Sequence, residues 1–142
     1  MESIPYDKRS GKIWFNGKTV EWDKANIHIL NHGLHYASCV FEGERVYDGE
    51  IFRLDEHTDR LFYSAKRMGI KIPYSQKEIN DACKNIVNIQ NVQNGYVRPV
   101  IWRGSEMMAI SAQKNKIHVA IATWEWGSYF DTKLKLKGIK LN

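Results

Sequence analysis

The sequence predicts an α+β fold, a mostly antiparallel sheet with two helices on one side. Three observations carry that expectation. Two short hairpin signatures open the chain, two segments of helical period follow, and two long strand-like runs come after them. Strands and helices are therefore segregated along the chain, where a parallel sheet would alternate them.

The elements follow in order. In KIWFNGKTVEW, residues 12–22, Asn16-Gly17 sits between two apolar-aromatic runs. Both central residues of a type I′ turn need positive φ, which Asn and Gly tolerate, so this segment is a hairpin. NIHILNHGLHYAS, residues 26–38, is rich in histidine, has no clean period and contains Gly33, and is expected to be a shaped loop or a short turn of helix. A second hairpin runs through CVFEGERVY, the turn Asp48-Gly49, and EIFRL. In DEHTDRLFYSAKRMG, residues 55–69, the period changes: His57, Leu61, Ala65 and Met68 recur at helical spacing, with Asp55 as the cap and Gly69 at C′. Ser75 to Glu78 reads S-x-x-E, a capping box, and Ile79, Cys83, Ile86 and Ile89 or Gln90 continue the inner face of a second helix. Asn94-Gly95 ends it. YVRPVIWR (96–103) and KIHVAIATW (116–124) are strand-like, and GSEMMAISAQKN between them is a loop. DTKLKLKGIKLN, residues 131–142, begins like another strand and stops.

Composition narrows the classes. A chain of 142 residues with 43% hydrophobic and 26% charged residues should form one domain with a real core. An aromatic share of 12% is high and points to a thick core, an interface or a pocket. The net charge of +5 invites an acidic partner, but Lys and Arg are spread along the chain apart from KLKLKGIK (133–140). No nucleic-acid motif accompanies them, so the basic surface reads as solvated. Cys39 and Cys83 form no ligand-like pair and read as free buried thiols of a reducing compartment. The stretch MESIPYDKRSGK has no apolar core of the kind a signal peptide needs and no run of about 18 apolar residues occurs, so a cytoplasmic protein away from membranes is expected.

Strand alternation locates the candidate chemistry. Phe41, Gly43, Arg45 and Tyr47 share one face, while Val40, Glu42, Glu44 and Val46 share the other. Tyr96, Arg98, Val100 and Trp102 share a face of their strand, so two strands each present an arginine beside an aromatic ring. A guanidinium on a buried sheet face needs a carboxylate or phosphate. Structural ion pairs to Glu42, Glu44 or Glu106 are one reading, and a face that binds a carboxylate substrate is the other. His28, His32 and His35 are spaced for a metal on a helix, yet Gly33 interrupts that helix and no acid or thiol completes a set, which favours hydrogen-bonded structural histidines. No metal is expected. WEWGSYF, residues 124–130, is either a core lid or domain interface or a pocket wall, and Met107-Met108 an adaptable apolar contact.

Six motifs occur in order: WFNG at 14–17, HGLHY at 32–36, VFEG-x-R at 40–45, EH-x-x-RL at 56–61, Y-x-RP at 96–99 and W-G-x-Y at 126–129. Together they resemble the N-terminal half of the branched-chain amino-acid aminotransferases, the fold type IV enzymes that use pyridoxal phosphate. The resemblance implies that Arg60 holds the cofactor phosphate and that Phe41, Tyr96 and Tyr129 line the pocket for aliphatic side chains. It implies that Arg98 helps accept the distal carboxylate of glutamate, that Arg45 belongs to the same charged face, and that Tyr36 and the Met108 loop reach a neighbouring subunit's site in a dimer. Ala109 departs from the glycine often found at its position in the family.

Family members are about twice as long, and their Schiff-base lysine lies in a second domain whose motif the tail lysines do not match. The resemblance therefore implies a flexible N-terminus at 1–11, the small domain at 12–130 and the start of a linker or a truncated end at 131–142. It implies a substrate-recognition domain for leucine, isoleucine or valine with 2-oxoglutarate. Alone this domain should be inactive, with no catalytic residue of its own, and should not hold pyridoxal phosphate stably. Alternatives of the same fold are the small domain of a D-amino-acid aminotransferase or of an aminodeoxychorismate lyase. An alternative of another class is a non-catalytic dimerising or anion-binding remnant.

Overall fold

Asn16 and Gly17 take φ of 51° and 87°, closing β1 (Lys12–Phe15) on β2 (Lys18–Glu21) as their sequence requires. In the computed structural model, which describes residues 4–127 and 136–138, this hairpin forms one margin of a seven-stranded sheet. A short helix, α1 (His32–Tyr36), precedes β3 (Cys39–Phe41), β4 (Glu44–Tyr47) and β5 (Glu50–Ile51). The long helices α2 (Leu54–Arg67) and α3 (Gln76–Ile89) follow, then β6 (Gly95–Arg103) and β7 (Ile117–Glu125). The order across the sheet is β2-β1-β7-β6-β4-β5, with β3 also paired to β6, and every pairing is antiparallel. The fold is α+β, as the segregated pattern predicts.

β3 and β4 are one strand interrupted. Phe41 pairs with Val100 and Glu44 with Val97, so the register is unbroken across Glu42-Gly43. Glu42 N–H donates to the Pro99 carbonyl at 3.0 Å. The reciprocal bond cannot form, because proline has no N–H, and the ladder is broken there.

Alternation sorts the sheet into two faces. Val40, Val46, Val97, Ile101, Val119 and Ile121 point to the helices and are buried. They meet Leu61 and Ala65 of α2 and Ile79, Cys83, Ile86 and Val87 of α3 in one core cluster. Fully burying each such aliphatic side chain contributes about 1.5–3 kcal/mol. The capping box of α3 is present, with Ser75 Oγ accepting from Glu78 N–H and the Glu78 carboxylate accepting from Ser75 N–H. Gln90 staples the layers: its Oε1 accepts from Lys12 N–H at 2.8 Å and its Nε2 donates to the Thr123 carbonyl at 2.6 Å. Among the described residues no helix is long and apolar enough to cross a membrane.

Three expectations need correction. α2 starts at Leu54 behind Arg53, which sits in the left-handed region (φ 52°), so Asp55 is not its cap. The tight β4–β5 hairpin delivers the chain straight into the helix, and Asp55 instead accepts from Asn80 Nδ2 of α3 at 2.6 Å. The buried face of α2 is Leu54, Thr58, Leu61 and Ala65, leaving Met68 46% exposed. Of the two thiols, Cys83 is buried but Cys39 is exposed, since β3 turns it to the face away from the helices.

Glu44 is the exception in the core. It is 0% exposed on the helix-facing side, and neither carboxylate oxygen has a hydrogen-bond partner among the described residues. Burial, reinforced by the charge of Glu42, pushes its pKa from 4.5 up to about 8. Because the folded chain holds a proton that the unfolded chain releases above 4.5, stability is greatest below that pH and declines until the folded pKa is passed. The decline is at most about 1.4 kcal/mol per pH unit. Urea midpoints should therefore fall from about pH 5 to about pH 8, and Glu44→Met should remove most of that slope and raise the midpoint at the alkaline end. A slope that survives in Glu44→Met would have another source.

Candidate functional site

The face of the sheet turned away from the helices carries the sequence-predicted residues. Arg45 of β4 pairs with Tyr96 of β6, and Gly43 lies opposite Arg98 in the continuing register. The Arg98 guanidinium stands 4.2 Å from the Phe41 ring centroid and donates from Nη2 to Tyr96 Oη at 3.1 Å. Its Nε is buried without a hydrogen-bond partner among the described residues. Arg45 donates from Nη1 to the Trp126 carbonyl at 3.1 Å. Tyr96 packs between Trp124 and Trp126, at 5.3 and 4.9 Å between centroids. Phe41, Arg45, Tyr96 and Arg98 thus form one group.

Ion pairs of Arg45 or Arg98 with Glu42, Glu44 or Glu106, one of the two readings above, are absent among the described residues. The reason is geometric, since Glu42 and Glu44 point through the sheet to the helices, and Glu106 accepts from Lys116 N–H. Two arginines on an aromatic surface without a carboxylate leave that face disposed to accept an anion.

Gly43 makes the arrangement possible. A Cβ built on it would lie 1.7 Å from Tyr96 Oη, so only glycine lets the phenol cross the strand beneath Arg98. Beside this group an apolar cavity of about 550 Å³ opens between the sheet and residues 25–37. Ile13, Phe15, Ile27, Leu34, Val100 and Trp102 line it, with Arg98 as the charged residue in its wall.

Arg60 lies elsewhere, on α2 at the helix side of the interrupted strand. Its Nε and Nη2 each donate to a Glu42 oxygen at 2.7 Å, and His57 Nδ1 is 2.8 Å from Glu42 Oε2. Glu42 is 4% exposed, whereas the Arg60 side chain is 64% exposed. The Arg60 and His57 contacts hold the Glu42 carboxyl below its ordinary value, outweighing its burial. No local pattern in the sequence predicts the carboxylate–guanidinium pair, although alternation turns Glu42 toward the helices and His57 and Arg60 are one turn apart.

Tyr36 and Met108 meet each other. Tyr36 Oη donates to the Met108 carbonyl at 2.9 Å, and Tyr36 stacks on His32 at 4.4 Å. His32 in turn contacts Ser38 Oγ at 2.6 Å and the Ala109 carbonyl at 3.1 Å. Ala109 is not in the left-handed region, so its methyl is accommodated. His28 accepts from Leu30 N–H and His35 contacts the Ile29 carbonyl, so each histidine has its own partner. No cluster suited to a metal occurs among the described residues. Tyr129 lies outside them.

Comparison with known proteins places this geometry. The family model for amino-transferase class IV matches residues 39–142. The chain belongs to the amino-transferase class IV family, on its branched-chain amino-acid aminotransferase branch. It is 47% identical over 137 residues to the branched-chain-amino-acid aminotransferase of Pseudomonas aeruginosa, covering 94% of this chain and 45% of that protein. It is 36% identical over 137 residues to the Escherichia coli K12 enzyme, covering 93% and 44%. Among solved structures, the T.th. branched-chain amino acid aminotransferase with pyridoxamine 5′-phosphate superposes with a TM-score of 0.83 at 36% identity, over 89% of this chain and 43% of that one. The same enzyme has been solved with N-(5′-phosphopyridoxyl)-L-glutamate and with 4-methylvaleric acid. The chain spans less than half the length of these relatives.

The Gly43–Tyr96 contact gives a test of the site's geometry. Gly43→Ala should force the Tyr96 ring off the strand, whereas the same change in a Tyr96→Ala background should not. A double-mutant cycle in urea should return a coupling of about 1 kcal/mol or more between positions 43 and 96. Additive effects would show that the ring does not need the glycine.

Proposed function

We propose that residues 12–130 are the small, substrate-recognition domain of a branched-chain amino-acid transaminase acting on leucine, isoleucine or valine with 2-oxoglutarate. The observation that carries this reading is Arg98, which among the described residues stands free of carboxylates, over Phe41 and Tyr96 at the wall of an apolar cavity. One surface then serves both substrates: an aliphatic side chain contacts the rings, and the distal carboxylate of glutamate takes the guanidinium. That relatives have been solved with a phosphopyridoxyl-glutamate adduct and with a branched aliphatic acid supports the pairing.

Pyridoxal phosphate, when bound, supplies the electron sink for such chemistry. The residues here fit one end of it. Arg60 keeps Nη1 clear of Glu42 and able to face a phosphate dianion, while Nη2 also lies 3.4 Å from His57 Nδ1. Tyr96, Arg98 and Phe41 would orient the substrate side chain, and the rings around Tyr96 would exclude water from it. No position here matches the motif of the lysine that moves the α-proton in the family. These 142 residues alone are therefore proposed not to transaminate and to bind the cofactor only weakly, in a cytoplasmic setting. Ile27, Ile29, Leu34 and Ile110 are 52%, 69%, 61% and 89% exposed around the Tyr36–Met108 contact, which supports self-association through that lobe.

Two outcomes are expected. After incubation with pyridoxal phosphate and dialysis, the 142-residue chain should keep no visible absorbance, and it should form no glutamate from leucine and 2-oxoglutarate. A retained band or transfer activity would refute inactivity. In a protein that joins these residues to the family's second domain, Arg98→Gln should raise the KM for 2-oxoglutarate about tenfold or more and that for leucine much less. Equal effects on both would remove Arg98 from the distal carboxylate.

A further inference from the structure

The Glu42 carboxylate is buried beside an exposed arginine, and its three contacts explain its place. Oε1 accepts from Arg60 Nε, and Oε2 accepts from Arg60 Nη2 and faces His57 Nδ1. An apolar residue would pack the helix side of this strand as well, as Val40 and Val46 do. The carboxylate instead grips one full edge of the guanidinium, which fixes both its plane and the direction of the donors that remain. A long side chain that is 64% exposed would otherwise sample many rotamers. The grip sits where Pro99 breaks the β6 ladder, so the Glu42 backbone is held by the single bond from its own N–H.

We propose that Glu42 is the positioning residue for Arg60, holding its outward N–H edge in the orientation that receives a phosphate. This rests on the reading that Arg60 meets the cofactor phosphate. The pair is neutral overall when His57 is uncharged, so the site would recognise the dianion through oriented donors rather than excess charge. That distinction sets the sign of a test. If Glu42 merely competes with phosphate for Arg60, removing its charge should tighten phosphate binding. If it positions Arg60, removing its charge should weaken binding even though a negative group has gone.

The experiment is a titration of the 142-residue chain with inorganic phosphate near neutral pH, against chloride at matched ionic strength. It follows the backbone amide shifts of residues 40–45 and 56–61 by NMR. Glu42→Gln is expected to weaken phosphate binding about threefold or more, and Glu42→Asp to restore part of it. Tighter or unchanged binding in Glu42→Gln, while Arg60→Gln still abolishes the response, overturns the positioning role and leaves the phosphate assignment standing. A response that Arg60→Gln does not reduce overturns the phosphate assignment itself, and the inference falls with it. Should Glu42→Gln fail to fold, the wild-type chain decides the matter. The Arg60 Nε–H should exchange with solvent well below the rate of Arg67, which is exposed on the last turn of the same helix. Equal rates would show a guanidinium that nothing holds.

Discussion

The nine-pair antiparallel ladder between β6 and β7 is the constraint on which the rest of this molecule depends. It fixes which residues of two long strands face the helices and which face away. Everything docked on either side inherits that division. β1 joins through β7, and the strand carrying residues 39–47 joins through β6. A one-residue slip would exchange Val97 and Ile101 for Arg98 and Trp102 in the core, which no packing could absorb. The register is therefore set by the hydrophobic face, and the polar face is carried along with it.

That division places two arginines on opposite sides of one strand. Phe41 and Gly43 look out beside Arg98, while Glu42, between them in sequence, looks in and reaches Arg60. The two arginines differ in how they are held. Arg60 is gripped by a carboxylate along the Nε–Nη2 edge of its guanidinium. Arg98 rests on the aromatic faces of Phe41 and Tyr96 and donates to the Tyr96 phenol.

Much of this was legible because it is periodic. Alternation alone separated Phe41 and Arg45 from Glu42 and Glu44, Asn16-Gly17 and Asp48-Gly49 announced their turns, and Ser75 with Glu78 announced a helix. What was not legible depends on how elements dock. Glu42 and Arg60 are 18 residues apart on a strand and a helix, and no local pattern says that they meet. The sequence offered Asp55 as a cap, but the hairpin before it starts the helix earlier through a strained Arg53. Glu44 was readable as an inward residue, yet nothing local shows that its carboxyl finds no partner.

The bond between Tyr36 and the Met108 carbonyl ties segments 72 residues apart in sequence. With His32 bridging Ser38 and the Ala109 carbonyl, and Arg103 and Asn115 holding carbonyls in the loop after β6, the two loops are bonded to each other as well as to the sheet. Whatever order these bonds impose on the two loops is imposed at folding, ahead of any encounter between this lobe and another surface. A ligand that displaced Met108 would also loosen Tyr36, so the two loops would report on each other without any movement of the sheet between them.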